Sequence, residues 1–192
     1  MTALYDPRDA ADVGRLVADY PLAWLVSRDF HASPLPLIAE SADGGTVTAL
    51  FGHCALRNPL VADFRADPRG LVLFNGPSGY VPTGLLSKPD WAPTWNYAVL
   101  RFEVDVEFVE DETKDAIERL VAKMEDGGWS TASLGPRYDK MLDQIIAFRA
   151  HVRSAAHSFK LGQDESPQGF AEIVAGHSDR TLAQWMEGQA KR

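Results

Sequence analysis

Leu100-Arg101-Phe102-Glu103-Val104-Asp105-Val106-Glu107-Phe108 is the stretch that decides the fold. Every second residue is apolar and the residues between are charged. A period of two belongs to a long β-strand with one dry face and one wet face. Upstream, Gly70 to Asn75 is a continuous apolar run, the pattern of a strand buried on both faces. Leu22–Ser27, Leu35–Glu40 and Thr46–Phe51 read as three earlier strands, with Ser33-Pro34 leading into the second and Asp43-Gly44-Gly45 marking a turn. Downstream, Phe148, Ala150 and Val152 alternate with Arg149, His151 and Arg153, which predicts a final strand pair reaching about Leu161.

Helical spacing fills the gaps. Val13, Leu16, Val17 and Tyr20 lie at i, i+3, i+4 and i+7, behind Asp6-Pro7 as N-cap and first turn, and Pro21 stops that helix. Arg57-Asn58-Pro59 to Arg65 predicts a short helix closed by Asp67-Pro68. Ile117, Leu120, Val121 and Met124 form a stripe that Gly127-Gly128 terminates. Tyr138, Met141, Leu142, Ile145 and Ile146 form another. Two short helices, around Phe170 to Val174 and Leu182 to Met186, close the chain. Six or seven strands joined by short turns, with helices between and at both ends, favour an antiparallel barrel over a βαβ sheet.

Composition narrows the function. One domain over residues 1–192, with a helical extension from about 165, is the simplest reading of this length. The net charge of −8 argues against a generic duplex-binding surface. Cys54 is the sole cysteine, so no intrachain disulfide forms, which fits a reducing cytoplasm. Cys54 itself reads as a small buried hydrophobe. No apolar run approaches the roughly 18 residues that span a bilayer. Neither glycine-rich phosphate loop is present, and the histidines lack metal-ligand spacing.

Between the apolar strand and the alternating one lies Gly76 to Tyr97, with four prolines, two tryptophans and two tyrosines, read as a pocket-shaping loop. Candidate ligand-binding residues cluster near its ends. His53 and Arg57, between a strand end and a helix start, offer donors to a phosphate, and read equally well as a capping or surface pair. Trp95 offers a stacking surface, and Asn96 a donor and an acceptor to a heterocycle edge. Lys160, at the end of the last strand, carries a charge that neutralises a phosphate, although most such lysines are simply solvated. No Ser/His/Asp or Cys/His grouping is readable, and no residue stands out as a catalytic acid or base.

These same residues carry a resemblance. Gly52-His53-Cys54-Ala55-Leu56-Arg57-Asn58-Pro59 resembles the GHxARxNP segment of the PaiB-type proteins, known as FMN-binding negative transcriptional regulators. Val72-Leu73-Phe74-Asn75-Gly76-Pro77-Ser78-Gly79-Tyr80-Val81 is similar to their VxxxFxGPxxYI segment. Pro93-Thr94-Trp95-Asn96-Tyr97 matches PTWNY, and Phe159-Lys160-Leu161-Gly162-Gln163-Asp164 resembles WKLSQN. The resemblance spans roughly residues 1 to 175. It implies a mainly β, antiparallel split barrel, related to the pyridoxamine-phosphate oxidases, forming a homodimer with FMN at the subunit interface. It implies His53 and Arg57 at the phosphate or ribityl region, Thr94, Trp95 and Asn96 near the ring system, and Lys160 and Gln163 at the end of the last strand.

Two departures stand out. The family's Ser-His-Leu-Pro-Phe is Ser33-Pro34-Leu35-Pro36-Leu37 here, without the histidine. Its Ile-Ser-Pro-Ser-Trp-Tyr is Val81-Pro82-Thr83-Gly84-Leu85-Leu86, without the aromatic pair. The leading expectation is a flavin-binding protein, an FMN-dependent oxidoreductase if an enzyme, with its substrate unassigned. The alternatives are a PaiB-type transcriptional regulator without an evident DNA-binding motif, and a haem-binding split barrel with His53 or His157 as axial ligand.

Overall fold

A computed structural model describes residues 4–42, 44–125 and 127–190. Seven strands form one antiparallel sheet in the order β2-β1-β5-β6-β7-β4-β3. They are β1 (Leu22–Ser27), β2 (Ala32–Pro36), β3 (Ile38–Ser41), β4 (Val47–Ala55), β5 (Arg69–Val81), β6 (Thr94–Phe108) and β7 (Ile145–Lys160). β2 and β3 stand at opposite ends of that order yet adjoin in sequence. One segment therefore pairs with β1, turns at Leu37, and pairs with β4, which wraps the sheet into a barrel. Leu37 is fully buried at this corner, and its N–H donates to the Pro21 carbonyl at 2.8 Å.

The inward residues follow the period of two. Val72, Phe74, Leu100, Phe102, Phe148 and Phe159 are all buried, and Phe74 meets Phe102 edge to face at 6.0 Å. Helix α1 (Ala10–Asp19) closes one end through Leu16 and Val17. Helices α5 (Pro167–Gly176) and α6 (Arg180–Ala190) extend the same core with Ile173, Leu182, Trp185 and Met186. Helix α2 (Pro59–Ala66) buries Leu60, Val61 and Phe64, while α3 (Thr113–Met124) and α4 (Arg137–Leu142) lie outside β4 and β7.

Several expectations need correction. The stretch from Gly76 to Tyr97 is strand at both ends, because β5 continues to Val81 and β6 begins at Thr94, and only residues 82–93 between them form the loop. A register shift between Asn75 and Ser78 lets the ladder run past Pro77, which has no N–H to give. The predicted strand pair after Phe148 is one strand of 16 residues, and Ile145 and Ile146 belong to it rather than to a helix. The first helix is capped by Asp9, whose side chain accepts from the Asp12 N–H, and not by Asp6. The predicted strand Leu35–Glu40 is two strands broken at Leu37.

A four-residue ionic clamp holds α3 to the barrel. Arg149 Nε donates to Glu40 Oε2 at 2.8 Å, its Nη2 to Glu112 Oε2 at 2.6 Å, and Arg119 Nη1 to Glu40 Oε1 at 2.8 Å. Both guanidiniums lie over the Phe51 ring, at 4.8 and 4.6 Å. Burial alone would raise the Glu40 carboxyl, but the hydrogen bonds from Arg149 and Arg119 outweigh it and hold it below its ordinary 4.5. The bond from Arg149 lowers Glu112 likewise. Carboxylates lowered in the folded state stabilise above their unfolded value and lose that contribution as pH falls. Arg149→Ala is therefore expected to lower the melting temperature at neutral pH, with the gap from wild type narrowing as pH falls below the ordinary carboxylate value of 4.5; a gap that does not change with pH would show that the clamp acts by packing alone.

Candidate functional site

β4 pairs with β7 only from Ile145 to His151. Beyond that point, among the described residues, β7 follows β6 alone, and one main-chain bond, Phe159 N–H to Tyr5 O at 2.7 Å, meets its other edge. The outward side of β1, β5, β6 and this half of β7 carries exposed or half-exposed side chains. Leu22, Trp24, Leu73, Tyr80, Trp95, Tyr97 and Val99 make it largely apolar. The packing of α1 and α6 is against the other side, where Leu16 and Leu182 touch Gly76 and Gly79. A broad apolar sheet face without a helix over it is where a soluble protein receives a ligand or a second chain.

Two groups of candidate residues lie along this side. The first sits where β4 meets α2. His53 is half-buried, and its Nδ1 is buried without a hydrogen-bond partner. Burial lowers the His53 imidazole, so it is neutral at neutral pH and able to accept or donate one bond. Pro36 lies against this strand, its carbonyl 3.1 Å from where a β-carbon on Gly52 would stand, and Pro36 pairs with Leu22 on β1. Trp24, 45% exposed, is opposite Pro34. Asn58 caps α2, accepting from the Leu60 N–H at 3.0 Å, while its amide donates to Ser33 Oγ at 2.9 Å. Arg57, just before the cap, is exposed and forms no ion pair with the described residues. With the cap filled, α2 offers an anion its dipole more than free N–H groups, so the guanidinium is the principal donor.

The second group sits where β6 begins and β7 ends. Lys160 Nζ donates to Thr94 Oγ1 at 2.7 Å and to the Trp95 carbonyl at 2.9 Å, with no carboxylate among its partners. Trp95 is 55% exposed, and its ring meets that of Tyr80 at 5.9 Å. Asn96 points the other way: it is 1% exposed, and its amide contacts Met186 Sδ at 3.5 Å beneath α6. Gln163 binds its own backbone, donating to Phe159 O and accepting from the Leu161 N–H. Asn96 and Gln163 thus serve the core and the chain turn, while Thr94, Trp95 and Lys160 converge.

The two groups do not meet within one chain. His53 pairs with Ala147, whereas Lys160 lies thirteen residues further along β7. At about 3.3 Å per residue this is roughly 40 Å of strand, and the way round the barrel through Pro36, Leu22 and β5 crosses five strand spacings, roughly 24 Å. Sequence reading missed Leu22, Trp24 and Ser33, and it favours packing for Tyr80, which stands exposed against Trp95. The run Leu22–Ser27 is apolar on both parities, so its letters do not show which side faces outward.

Of the remaining reactive groups, Cys54 is buried and its thiol is pushed up to about 11 by burial, so it stays protonated and inert. His157 Nδ1 faces Asp6 Oδ1 at 3.4 Å, beside a hollow of about 320 Å³ under the N-terminal segment. No cluster of metal-ligating side chains occurs among the described residues, and none of their helices is long and apolar enough to cross a membrane.

Comparison with known proteins bears on the family and the fold. The chain is 25% identical over 152 residues to "Protease synthase and sporulation protein PAI 2" of Bacillus subtilis (strain 168), covering 73% of each. Its fold is similar to that of the FAD and haem binding protein from Mycobacterium smegmatis, with TM-score 0.62, 18% identity, and 86% of this chain and 77% of that one covered. It is also similar to the flavocytochrome Anf3 from Azotobacter vinelandii, with TM-score 0.60, 13% identity, and 81% and 67% covered. Residues 1–154 match the family described as "Putative FMN-binding domain", and the chain belongs to that family.

Proposed function

We propose that this protein binds FMN between two copies of the chain and uses it in an oxidoreductase reaction. The observation that carries the reading is the division of the site. Arg57 and Lys160, cations without carboxylate partners among the described residues, belong to separate groups, one where β4 meets α2 and the other where β7 ends. An apolar face without a helix over it lies between them. A second copy laid against that face would bring the Lys160 end of one chain toward the Arg57 end of the other, under two-fold symmetry.

The residues present fit FMN. Arg57, helped by the α2 dipole, suits a phosphate. Leu22 and Trp24 offer an apolar shelf for a flat ring system, and the orphaned His53 Nδ1 offers that ring one hydrogen bond. Lys160 adds positive charge at the ring edge or the phosphate, held in place by Thr94 and the Trp95 carbonyl. FMN, when bound, supplies the electron-transfer chemistry; the chain binds it, orients it and excludes water. Tyr80 and Trp95 form an exposed aromatic rim, suited to a planar substrate.

A regulatory role, implied by the resemblance to the PaiB-type proteins, fits control through a small molecule or a protein partner better than direct duplex reading, given the net charge of −8. A reducing compartment such as the cytoplasm suits the lone buried thiol. The test is direct. Purified protein incubated with FMN and desalted is expected to keep flavin bands near about 375 and 450 nm. Colourless protein after that treatment would overturn the assignment.

A further inference from the structure

The β1–β2 hairpin turns through Arg28, Asp29 and Phe30. The Phe30 N–H donates to Ser27 O at 3.1 Å, and the Ser27 N–H to His31 O at 2.9 Å. The last position of such a three-residue tip adopts a left-handed backbone, where glycine is at ease and a β-carbon is not. Here it is Phe30, with φ of 64°, the one non-glycine residue at positive φ among those described. Its ring is 87% exposed. Backbone and ring are thus both unfavourably placed in the isolated chain, which points to a contact outside it.

Beside the tip lies a hollow of about 390 Å³. Val26, Leu71 and Val104 line it with Arg28, Arg69, Arg153 and Glu103, and the chain's own Phe30 stands at its edge. Apolar side chains beside guanidiniums suit an aromatic ring, through burial and cation–π attraction. The rim carries both signs: Glu103 lines it, Arg69 pairs with Asp67 at 2.6 Å, Arg28 stands 3.8 Å from Asp67, and Arg153 pairs with Asp105. Such a rim can meet its own two-fold copy with opposite charges facing. Knob and hollow adjoin, at one margin of the apolar face described above, so two copies can exchange them reciprocally.

We propose that Phe30 of each copy seats in this hollow of the other and fixes the register of the pair. The proposal rests on the two-copy reading of the site. It makes an unusual demand of Phe30→Gly, because glycine relieves the backbone while removing the knob. In sedimentation equilibrium, Phe30→Gly is expected to weaken self-association by at least about tenfold. Diluted until both proteins are monomeric, the variant is expected to melt at or above the wild-type temperature. Wild type and variant dimerising equally well would overturn the Phe30 assignment and leave the shared site standing. A wild-type chain that sediments as a monomer with FMN bound would overturn both.

Discussion

Arg57→Glu is expected to weaken FMN binding by about 100-fold or more, without lowering the melting temperature of the free protein. A charge-assisted bond to phosphate contributes roughly 1.5–3 kcal/mol, and reversing its sign adds repulsion. Each 1.4 kcal/mol is about a factor of ten. The fold is spared because Arg57 is exposed and unpaired among the described residues, and α2 is held by Asn58 and by Leu60, Val61 and Phe64. Fluorescence titration with FMN, beside a thermal melt of each protein, separates the two effects. Undiminished affinity would remove Arg57 from the site.

The second large effect is on stability. A β-carbon on Gly52 would stand 2.6 Å from Leu37 Cδ2 and 3.1 Å from the Pro36 carbonyl. Leu37 is fully buried at the corner where β2 becomes β3, so it has nowhere to move. Overpacking of this kind costs about 1–3 kcal/mol. For a chain of this length that is a fall of roughly 3–10 °C in melting temperature from Gly52→Ala. Gly84 provides the control. It has open space around it and no positive φ, so Gly84→Ala is expected to leave the melt unchanged. Since Gly52 also separates Pro36 from His53's strand, Gly52→Ala is expected to weaken FMN binding even below its melting temperature. Equal melts for the two variants would contradict the closeness of the corner.

Much of the architecture was legible because it rests on periodicity. The alternation through Leu100–Phe108 gave a strand buried on one side, and the structure buries Leu100, Phe102, Val104 and Val106 there. Proline misled the reading of Gly76 to Tyr97. Proline usually ends a ladder, but the register shift after Asn75 absorbs Pro77 and the strand resumes. Trp95 and Asn96 show what motif reading overlooks. Adjacent residues on a strand face opposite sides, so the two could not both face one ligand, and Asn96 belongs to the core under α6. The Trp24 shelf was hidden for a different reason. Its strand is apolar at both parities, and only pairing to Pro34 on one side and Leu73 on the other sets its direction. The separation of Arg57 from Lys160 was equally invisible, since it depends on how far β4 runs along β7.

That separation is the basis of the claim that the site is shared, and mixing two defective proteins tests it most directly. Arg57→Glu damages one group and Lys160→Glu the other. Each variant alone is expected to lose FMN binding. If each site takes one group from each chain, a mixed dimer holds one doubly damaged site and one intact site. Co-refolding equal amounts is then expected to restore binding to about a quarter of all sites. If the mixture binds no more FMN than the separate variants while mixed dimers demonstrably form, the two groups do not act across the pair and the shared-site account is wrong.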